Sequence, residues 1–296
     1  MVCSFCAAGA CKTVYSDKFH KVTTSFGPFD IAECQDCGSM NTLNKPDRAR
    51  LSDFYRDYDL ARPDWFKEGA ANAALISQYR YYARFVGQHL ATPSGRWTEV
   101  GAGGGDVSNF LKRGFPQSAG VAIDIGPRPV NLDPGIDYIS ADLNEQTWCL
   151  GIDKADLVFS VAVWEHVLSP GDFARQLVSL CKPDGAIVII APDYGAMARK
   201  LMGQRWPYFS PGEHLSIPTR QGATRCATNQ LDALGLTADQ YQVKTIPISV
   251  GYSVSYLMSV LGLGSISRLI PPELALPMPT GILATLIKLR QTAINI

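Results

Sequence analysis

The chain has 296 residues, of which 46% are hydrophobic and 18% charged, and this suits one large globular core with a smaller unit beside it. Its 27 basic and 27 acidic residues balance, which argues against a nucleic-acid partner and against an acidic disordered chain. Eight cysteines are too few for a disulfide scaffold of this length, so we expect a reducing compartment. Residues 1–11 lack the pattern of a secretory signal, and we expect a cytoplasmic protein.

The first 45 residues hold five of the eight cysteines, and turn-forming pairs between them predict short strands with little core. Four of these cysteines form two Cys-x-x-Cys knuckles, which are Cys3 with Cys6 and Cys34 with Cys37. Two such knuckles can present four thiolates to zinc in a tetrahedron, and a closed site of this kind is structural. The 27 residues between the pairs require an extended hairpin, and Cys11 or His20 are alternatives for one ligand.

Apolar and aromatic residues recur at helical spacing through residues 46–95, which predicts two amphipathic helices interrupted near Pro63. Short apolar runs then alternate with helical patterns, and this alternation predicts βαβ units with a parallel sheet. The predicted strands are residues 97–100, 119–123, 138–140, 157–161, 186–190 and 241–246. The predicted helices of this part are residues 107–113, 173–181 and 219–234.

The tail, residues 249–296, is apolar and interrupted by prolines, and neither of its apolar runs reaches the length of about 20 residues that spans a bilayer. We interpret it as a lid followed by a last strand, with peripheral membrane contact through the tail as the alternative. The predicted divisions of the chain are therefore 1–45, 46–95, 96–248 and 249–296.

A glycine-rich segment joins the strand at residues 97–100 to the following helix, the context in which a backbone approaches a bound ligand closely. Its glycines are Gly101, Gly103 and Gly105, and the acidic Glu99 precedes them. The dinucleotide fingerprint requires glycine at position 106, where Asp106 stands, and this departure argues against NAD. The acid-led pattern resembles motif I of the class I S-adenosylmethionine-dependent methyltransferases.

The resemblance covers roughly residues 96–245 and implies a doubly wound, mostly parallel seven-stranded Rossmann-like sheet that binds S-adenosylmethionine. It implies that Asp124 binds the ribose hydroxyls and that Asp142 and Leu143 contact the adenine. Ser160 belongs to the segment that resembles the fourth motif of the family. The three predicted strand ends that carry acids also meet at the edge where open α/β sheets bind ligands. The cysteine-rich start resembles the zinc-binding module that precedes many bacterial methyltransferases acting on sugars and small molecules.

Transfer of a methyl group to a hydroxyl requires a base that removes the hydroxyl proton. His166 follows a predicted strand, and His214 lies in a later loop that resembles a loop of sugar methyltransferases. That resemblance implies that His214 is the base and that Glu213 orients the substrate, and His166 is the alternative base. A related quinone-precursor family holds a divalent metal with Glu-x-x-Glu-His, but Ala162 stands here in the place of the first glutamate.

The sequence therefore predicts a methyltransferase with S-adenosylmethionine as cofactor, a structural zinc, and a glycosyl or other small-molecule acceptor that is O-methylated. C-methylation of a nucleotide-linked deoxysugar is the first alternative. The second is a catalytically idle nucleoside-binding protein whose zinc ribbon recruits a partner.

Overall fold

The computed structural model describes residues 2–17, 29–56, 70–253, 258 and 275–290. Within these residues the chain forms a four-stranded sheet and a seven-stranded sheet. The described part of the chain contains no helix with both the length and the apolar character needed to cross a membrane.

The smaller sheet belongs to the cysteine-rich start of the chain. Its strands, in spatial order, are β1 (Cys11–Asp17), β2 (Phe29–Cys34), β3 (Met40–Thr42) and β9 (Ser216–Ile217). All neighbours are antiparallel, and the pairing of β1 with β2 is the arrangement that the predicted hairpin requires. The fourth strand, which the sequence did not predict, comes from the second half of the chain and joins the two parts.

The larger sheet provides the frame of the main domain. Its strands are β4 (Arg96–Val100), β5 (Ala119–Asp124), β6 (Ile136–Ser140), β7 (Ala155–Val161), β8 (Cys181–Pro192), β10 (Tyr241–Ser253) and β11 (Ala275–Leu289). They lie in the order β10-β11-β8-β7-β4-β5-β6, and only β11 is antiparallel to its neighbours. The predicted doubly wound, mostly parallel seven-stranded sheet is confirmed. Because the chain winds away from β4 in both directions, the switch point lies at its carboxyl end.

Besides a short 3-10 helix at Gly203–Arg205, the described residues form six α-helices with both ends placed. They are α1 (Arg48–Arg56), α2 (Ala70–Gly87), α3 (Asp106–Gly114), α4 (Pro170–Ser179), α5 (Met197–Met202) and α6 (Arg220–Ala233). Local side chains set two of their starts, since the Ser169 hydroxyl accepts the N–H of Asp172 at 3.3 Å and Thr219 Oγ1 accepts the N–H of Gly222 at 3.1 Å. Thr219 lies two residues after the end of β9, so the last strand of the small sheet leads almost directly into α6.

Both faces of the large sheet are buried, and the alternation along β8 shows why. Ile187 and Ile189 pack with α4 and α6 on one face, whereas Val188 and Ile190 pack with α2 and α3 on the other. Cys3, Cys34 and Cys37 are buried in the first of these clusters, and the partly buried Cys6 packs against it. The cysteine-rich start of the chain therefore shares a hydrophobic core with the main domain.

Several predicted boundaries were wrong, and the largest differences concern β8 and β10. The strand predicted at 186–190 is β8, which spans Cys181–Pro192. The helix predicted to end at Cys181 ends at Ser179, and β8 begins at Cys181, because the backbone of Cys181 pairs with Ala155 of β7. The strand predicted at 241–246 continues to Ser253, because it pairs with β11 along its length. The predicted last strand is β11, while most of the predicted lid lies outside the described residues, as do His20 and Pro63. The four predicted divisions of the chain stay predictions.

Candidate functional site

The glycine loop leaves β4 at the switch point of the sheet and leads into α3. The N–H groups of Gly101 and Ala102 donate to the carbonyl oxygen of Ile123 at 2.8 and 3.0 Å, which holds the loop against β5. Gly101 has a positive φ of 78°, and a Cβ there would lie 2.2 Å from Val163 Cγ2. Gly103 also has a positive φ, of 50°, but a Cβ there would meet no atom within 4 Å. The loop is therefore tightly packed on its protein side and open at Gly103.

Glu99 lies beneath this loop rather than on its surface, with 1% of the residue exposed. The Ser108 hydroxyl of α3 donates a hydrogen bond to its carboxyl group. Burial raises the pKa of Glu99 to about 8, and the hydrogen bond from Ser108 opposes that rise. The side chain connects the end of β4 to the first turns of α3, so it supports the glycine loop from within the core.

Asp124, at the carboxyl end of β5, faces the glycine loop. Its Oδ2 accepts the N–H of Gly103 at 2.7 Å, and its Oδ1 accepts the N–H of Ile125 at the same distance. The carboxylate is thus fixed by two backbone donors beside the open part of the loop. The structure brings together two residues that the sequence assigned separately to cofactor binding.

The other predicted cofactor residues lie after the neighbouring strands. Asp142, after β6, accepts the Ser52 hydroxyl of α1 at 2.6 Å and the N–H of Asn144 at 2.9 Å, and Leu143 packs against the core. Ser160 lies near the carboxyl end of β7, and its buried Oγ has no hydrogen-bond partner among the described residues. Sequence reasoning missed Ser52, which lies one turn before Tyr55 on α1.

The two candidate bases, His166 and His214, are in contact. Their rings meet edge to face, with centroids 4.6 Å apart and planes at 82°. His166 Nδ1 lies 2.6 Å from the Tyr55 hydroxyl and 2.9 Å from the Glu213 carbonyl oxygen, whereas His214 Nδ1 lies 2.6 Å from the carbonyl oxygen of Tyr208. A carbonyl only accepts, so His214 Nδ1 carries a proton and Nε2 is the basic nitrogen of the neutral ring.

Two carboxyl groups lie near this pair. Glu213 Oε2 accepts the Ser210 hydroxyl at 2.9 Å. Glu165 is 1% exposed, its Oε1 lies 3.8 Å from His166 Nε2, and burial raises its pKa to about 8, helped by the charge of Glu213. The raised pKa favours a neutral carboxyl group beside the imidazoles near pH 7.

One potential ligand atom from each of Glu165, His166 and His214 lies within 4.8 Å of the others. The sequence argued against a metal here because Ala162 replaces one glutamate of the related motif. The structure shows that His214 reaches the same place from a different loop. The cluster is therefore chemically suited to moving a proton, and its donor set also suits a divalent cation.

The four knuckle cysteines form a second cluster, with one sulfur of each within 4.8 Å of the others. Cys3 Sγ lies 3.7 Å from Cys37 Sγ, and Cys6 Sγ lies 3.5 Å from Cys34 Sγ. Four thiolates about 2.3 Å from a tetrahedral zinc would lie about 3.8 Å apart, so the observed distances fit zinc. The contact between Cys3 and Cys37 lowers the pKa of the Cys3 thiol and raises the pKa of the Cys37 thiol, because one sulfur donates its hydrogen to the other.

A model of the methyltransferase domain family matches residues 74–231, more than half of the chain. The chain belongs to this family. The prediction of an S-adenosylmethionine-dependent methyltransferase is therefore confirmed at the level of enzyme class. The matched residues include β4 to β8 and most of α6, so they contain the glycine loop and both histidines.

Comparison with solved structures gives matches to methyltransferases. A chain of the complex between the Haloferax volcanii Trm112 methyltransferase activator and the putative methyltransferase matches with a TM-score of 0.50 and 11% identity, over 83% of this chain and 99% of that chain. An O-methyltransferase family protein from Burkholderia thailandensis gives 0.47 and 14%, over 80% of this chain and 63% of that one. A possible histamine N-methyltransferase from Thermotoga maritima gives 0.47 and 12%, over 80% and 99%. A search of curated proteins gave no match.

Proposed function

We propose that this methyltransferase transfers the methyl group of S-adenosylmethionine to a hydroxyl group of a sugar, a glycan or another small metabolite. The observation that carries the proposal is the contact between His166 and His214, whose ring centroids lie 4.6 Å apart. His166 lies in the loop after β7, and His214 lies between α5 and β9 in the connection that leaves the carboxyl end of β8. The carboxyl ends of parallel strands form the binding edge of an open α/β sheet. The balanced charge of the chain favours a small acceptor over a nucleic acid.

In this proposal the cofactor lies along the carboxyl ends of β4, β5, β6 and β7. The residues that hold it are Glu99, Gly101, Gly103, Gly105, Asp124, Asp142, Leu143 and Ser160. Support comes from the open side of Gly103 and from the Asp124 carboxylate, which the N–H of Gly103 fixes at 2.7 Å. Glu99 acts from inside the core, where it connects β4 to α3 through Ser108.

His214 acts as the general base through Nε2. The Tyr208 carbonyl oxygen, 2.6 Å from Nδ1, holds the ring in the tautomer that leaves Nε2 basic. Bound S-adenosylmethionine would supply its methyl group to the acceptor oxygen and become S-adenosylhomocysteine, and His214 would accept the hydroxyl proton. Glu213 orients the substrate. His166, which contacts His214, and Tyr55, which contacts His166, line the place of the acceptor.

The four knuckle cysteines hold a structural zinc. Their spacing fits a tetrahedral ion, and four thiolate ligands would leave no open position on the ion for a substrate. We interpret the apolar tail as a lid with a last strand, and contact of the tail with a membrane surface is the alternative.

The experiment is a transfer assay with S-adenosylmethionine labelled at the methyl carbon and a panel of nucleotide sugars, glycosides and hydroxylated metabolites. NMR of the product locates the label, and we expect it on oxygen. A label on carbon of a nucleotide-linked deoxysugar would support the alternative acceptor chemistry. Bound cofactor without transfer to any member of the panel would favour the idle nucleoside-binding protein. Added Mg²⁺ or Mn²⁺ should leave the rate unchanged, because His214 removes the proton without a metal.

A further inference from the structure

We propose that Asn41 is a positioning residue for the loop that carries His214. Asn41 lies in the cysteine-rich start of the chain, here called the zinc module, and it connects a zinc-binding knuckle to β9, the strand that follows His214. The inference rests on the proposed role of His214 for its effect on turnover. In this proposal the zinc module also positions the loop that carries His214.

The side chain of Asn41 is fully buried and lies between the two knuckles. Its Oδ1 accepts the N–H of Ser4 at 2.8 Å, and this hydrogen bond fixes the orientation of the side-chain amide. Its Nδ2 therefore donates to the Ser39 carbonyl oxygen at 3.1 Å and points to Cys3 Sγ at 3.6 Å. An amide that faces a thiolate in this way orients a metal ligand from outside the coordination sphere.

The backbone of Asn41 pairs with the catalytic side of the protein. Asn41 lies opposite Ser216 in the pairing of β3 with β9, and the N–H of Thr42 donates to the Leu215 carbonyl oxygen at 2.9 Å. On its other side, this segment donates two N–H groups, from Leu215 and Ser216, to the carbonyl oxygen of Glu165 at 2.8 and 3.2 Å. The residues directly after His214 are thus held between the zinc module and the loop that carries His166.

A second link to the zinc module is made by Thr219, three residues after Ser216. The Ser39 hydroxyl is 3.2 Å from Cys37 Sγ and accepts the N–H of Thr219 at 3.1 Å. Thr219 Oγ1 in turn donates to the carbonyl oxygen of Cys37. Both ends of the segment 215–219 are therefore attached to residues that neighbour zinc ligands. The N–H groups of Gly101 and Gly103 in the cofactor loop are held instead by Ile123 and Asp124.

The His214 loop and the cofactor loop therefore have different anchors. A change at Asn41 can then affect turnover without affecting cofactor affinity, whereas a general loss of stability would affect both. A weaker link at Asn41 should loosen the His214 loop and leave the cofactor loop in place. Turnover should fall through kcat while the affinity for S-adenosylmethionine is kept.

The test uses the full-length zinc-loaded protein with Asn41→Ala and, as a matched control, Asn44→Ala. Asn44 is in the same module and its Oδ1 also accepts a backbone N–H, that of Asp30 at 2.8 Å. Hydrogen exchange of the Leu215 and Ser216 amides is measured together with zinc content, the Kd of S-adenosylmethionine and kcat. Should Asn41→Ala fail to fold, Ser39→Ala removes the second link with a smaller change and takes its place.

We expect Asn41→Ala to retain zinc, to exchange the two amides about tenfold faster, and to lose about tenfold in kcat while the Kd changes by less than about twofold. Asn44→Ala should match the parent. Unchanged exchange at Leu215 and Ser216, or a Kd that rises in step with the loss of kcat, would overturn the proposal. If exchange rises but His214→Ala retains full activity, the anchoring stands and the proposed base is wrong instead.

Discussion

The imidazole rings of His166 and His214 meet edge to face, with their centroids 4.6 Å apart, although they come from loops after two different strands. The buried carboxyl group of Glu165 lies beside His166, with Oε1 3.8 Å from Nε2. In the proposed reaction, the ring that takes the acceptor proton therefore has a second imidazole and a buried carboxyl group as neighbours.

S-adenosylmethionine should raise the melting temperature of the parent protein, because a ligand that binds only the folded state stabilises it. Gly103→Val should abolish this rise, since its side chain would occupy the open side of the loop. The matched control is Gly151→Val, because Gly151 has a positive φ of 77° and a Cβ there would likewise meet no atom within 4 Å. Both variants should lose about 1–3 kcal/mol of stability from backbone strain.

Thermal unfolding with and without the cofactor checks this prediction. Gly151→Val should retain the full rise that Gly103→Val loses. A rise of parental size in Gly103→Val, or a larger response of the parent to NAD than to S-adenosylmethionine, would remove the assignment of the loop.

Purified protein should contain one zinc ion per chain, and Cys34→Ser should lower the zinc content, because structural zinc supplies folding free energy to a module with little core. Cys11→Ser should keep its zinc, since Cys11 lies opposite Cys34 in the strand pairing but outside the four-sulfur cluster. Metal analysis of the freshly purified proteins decides the matter. Loss of zinc from Cys11→Ser with retention in Cys34→Ser would show that a different ligand set holds the ion.

The contribution of Glu99 to the free energy of unfolding should fall as the pH rises from about 4.5 to about 8. Burial raises the pKa of this carboxyl group to about 8 in the folded state, so the folded protein binds more protons than the unfolded chain within this window. The stabilisation is complete below the unfolded pKa and is lost as the pH passes through the folded one.

Glu99→Gln removes this titration and keeps the shape of the side chain. Its stability should therefore depend less steeply on pH between these limits than that of the parent. Denaturant unfolding across the range provides the measurement. An equal slope in both proteins would show that Glu99 does not titrate with a raised pKa.

The sequence predicted the main domain well because its signals are local. Apolar runs, helical periodicity and the glycines after β4 each lie within a few residues, and they locate βαβ units without knowledge of distant contacts. The cysteine pairs are equally local, since their spacing alone indicates a metal site. These signals placed the glycine loop and the four cysteines before any tertiary contact was known.

The parts that the sequence missed depend on long-range pairing. The two residues of β9 are too few to show a strand pattern, and only their partners in β3 define them as a strand. The helix that became α1 was predicted, but periodicity could not show that Ser52 would reach Asp142 or that Tyr55 would reach His166. The sequence placed His166 after a predicted strand and His214 in a later loop, and only the fold shows that the two rings are in contact.

The central claim is that His214 removes the acceptor proton, and the most direct measurement is kcat of His214→Ala with the acceptor found by the transfer assay. A general base contributes about 10²–10⁴ in rate, so we expect a loss of this size with an almost unchanged Kd for S-adenosylmethionine. His166→Ala should lose less. A nearly silent His214→Ala beside an inactive His166→Ala would contradict the account, because the base would then lie on the loop after β7.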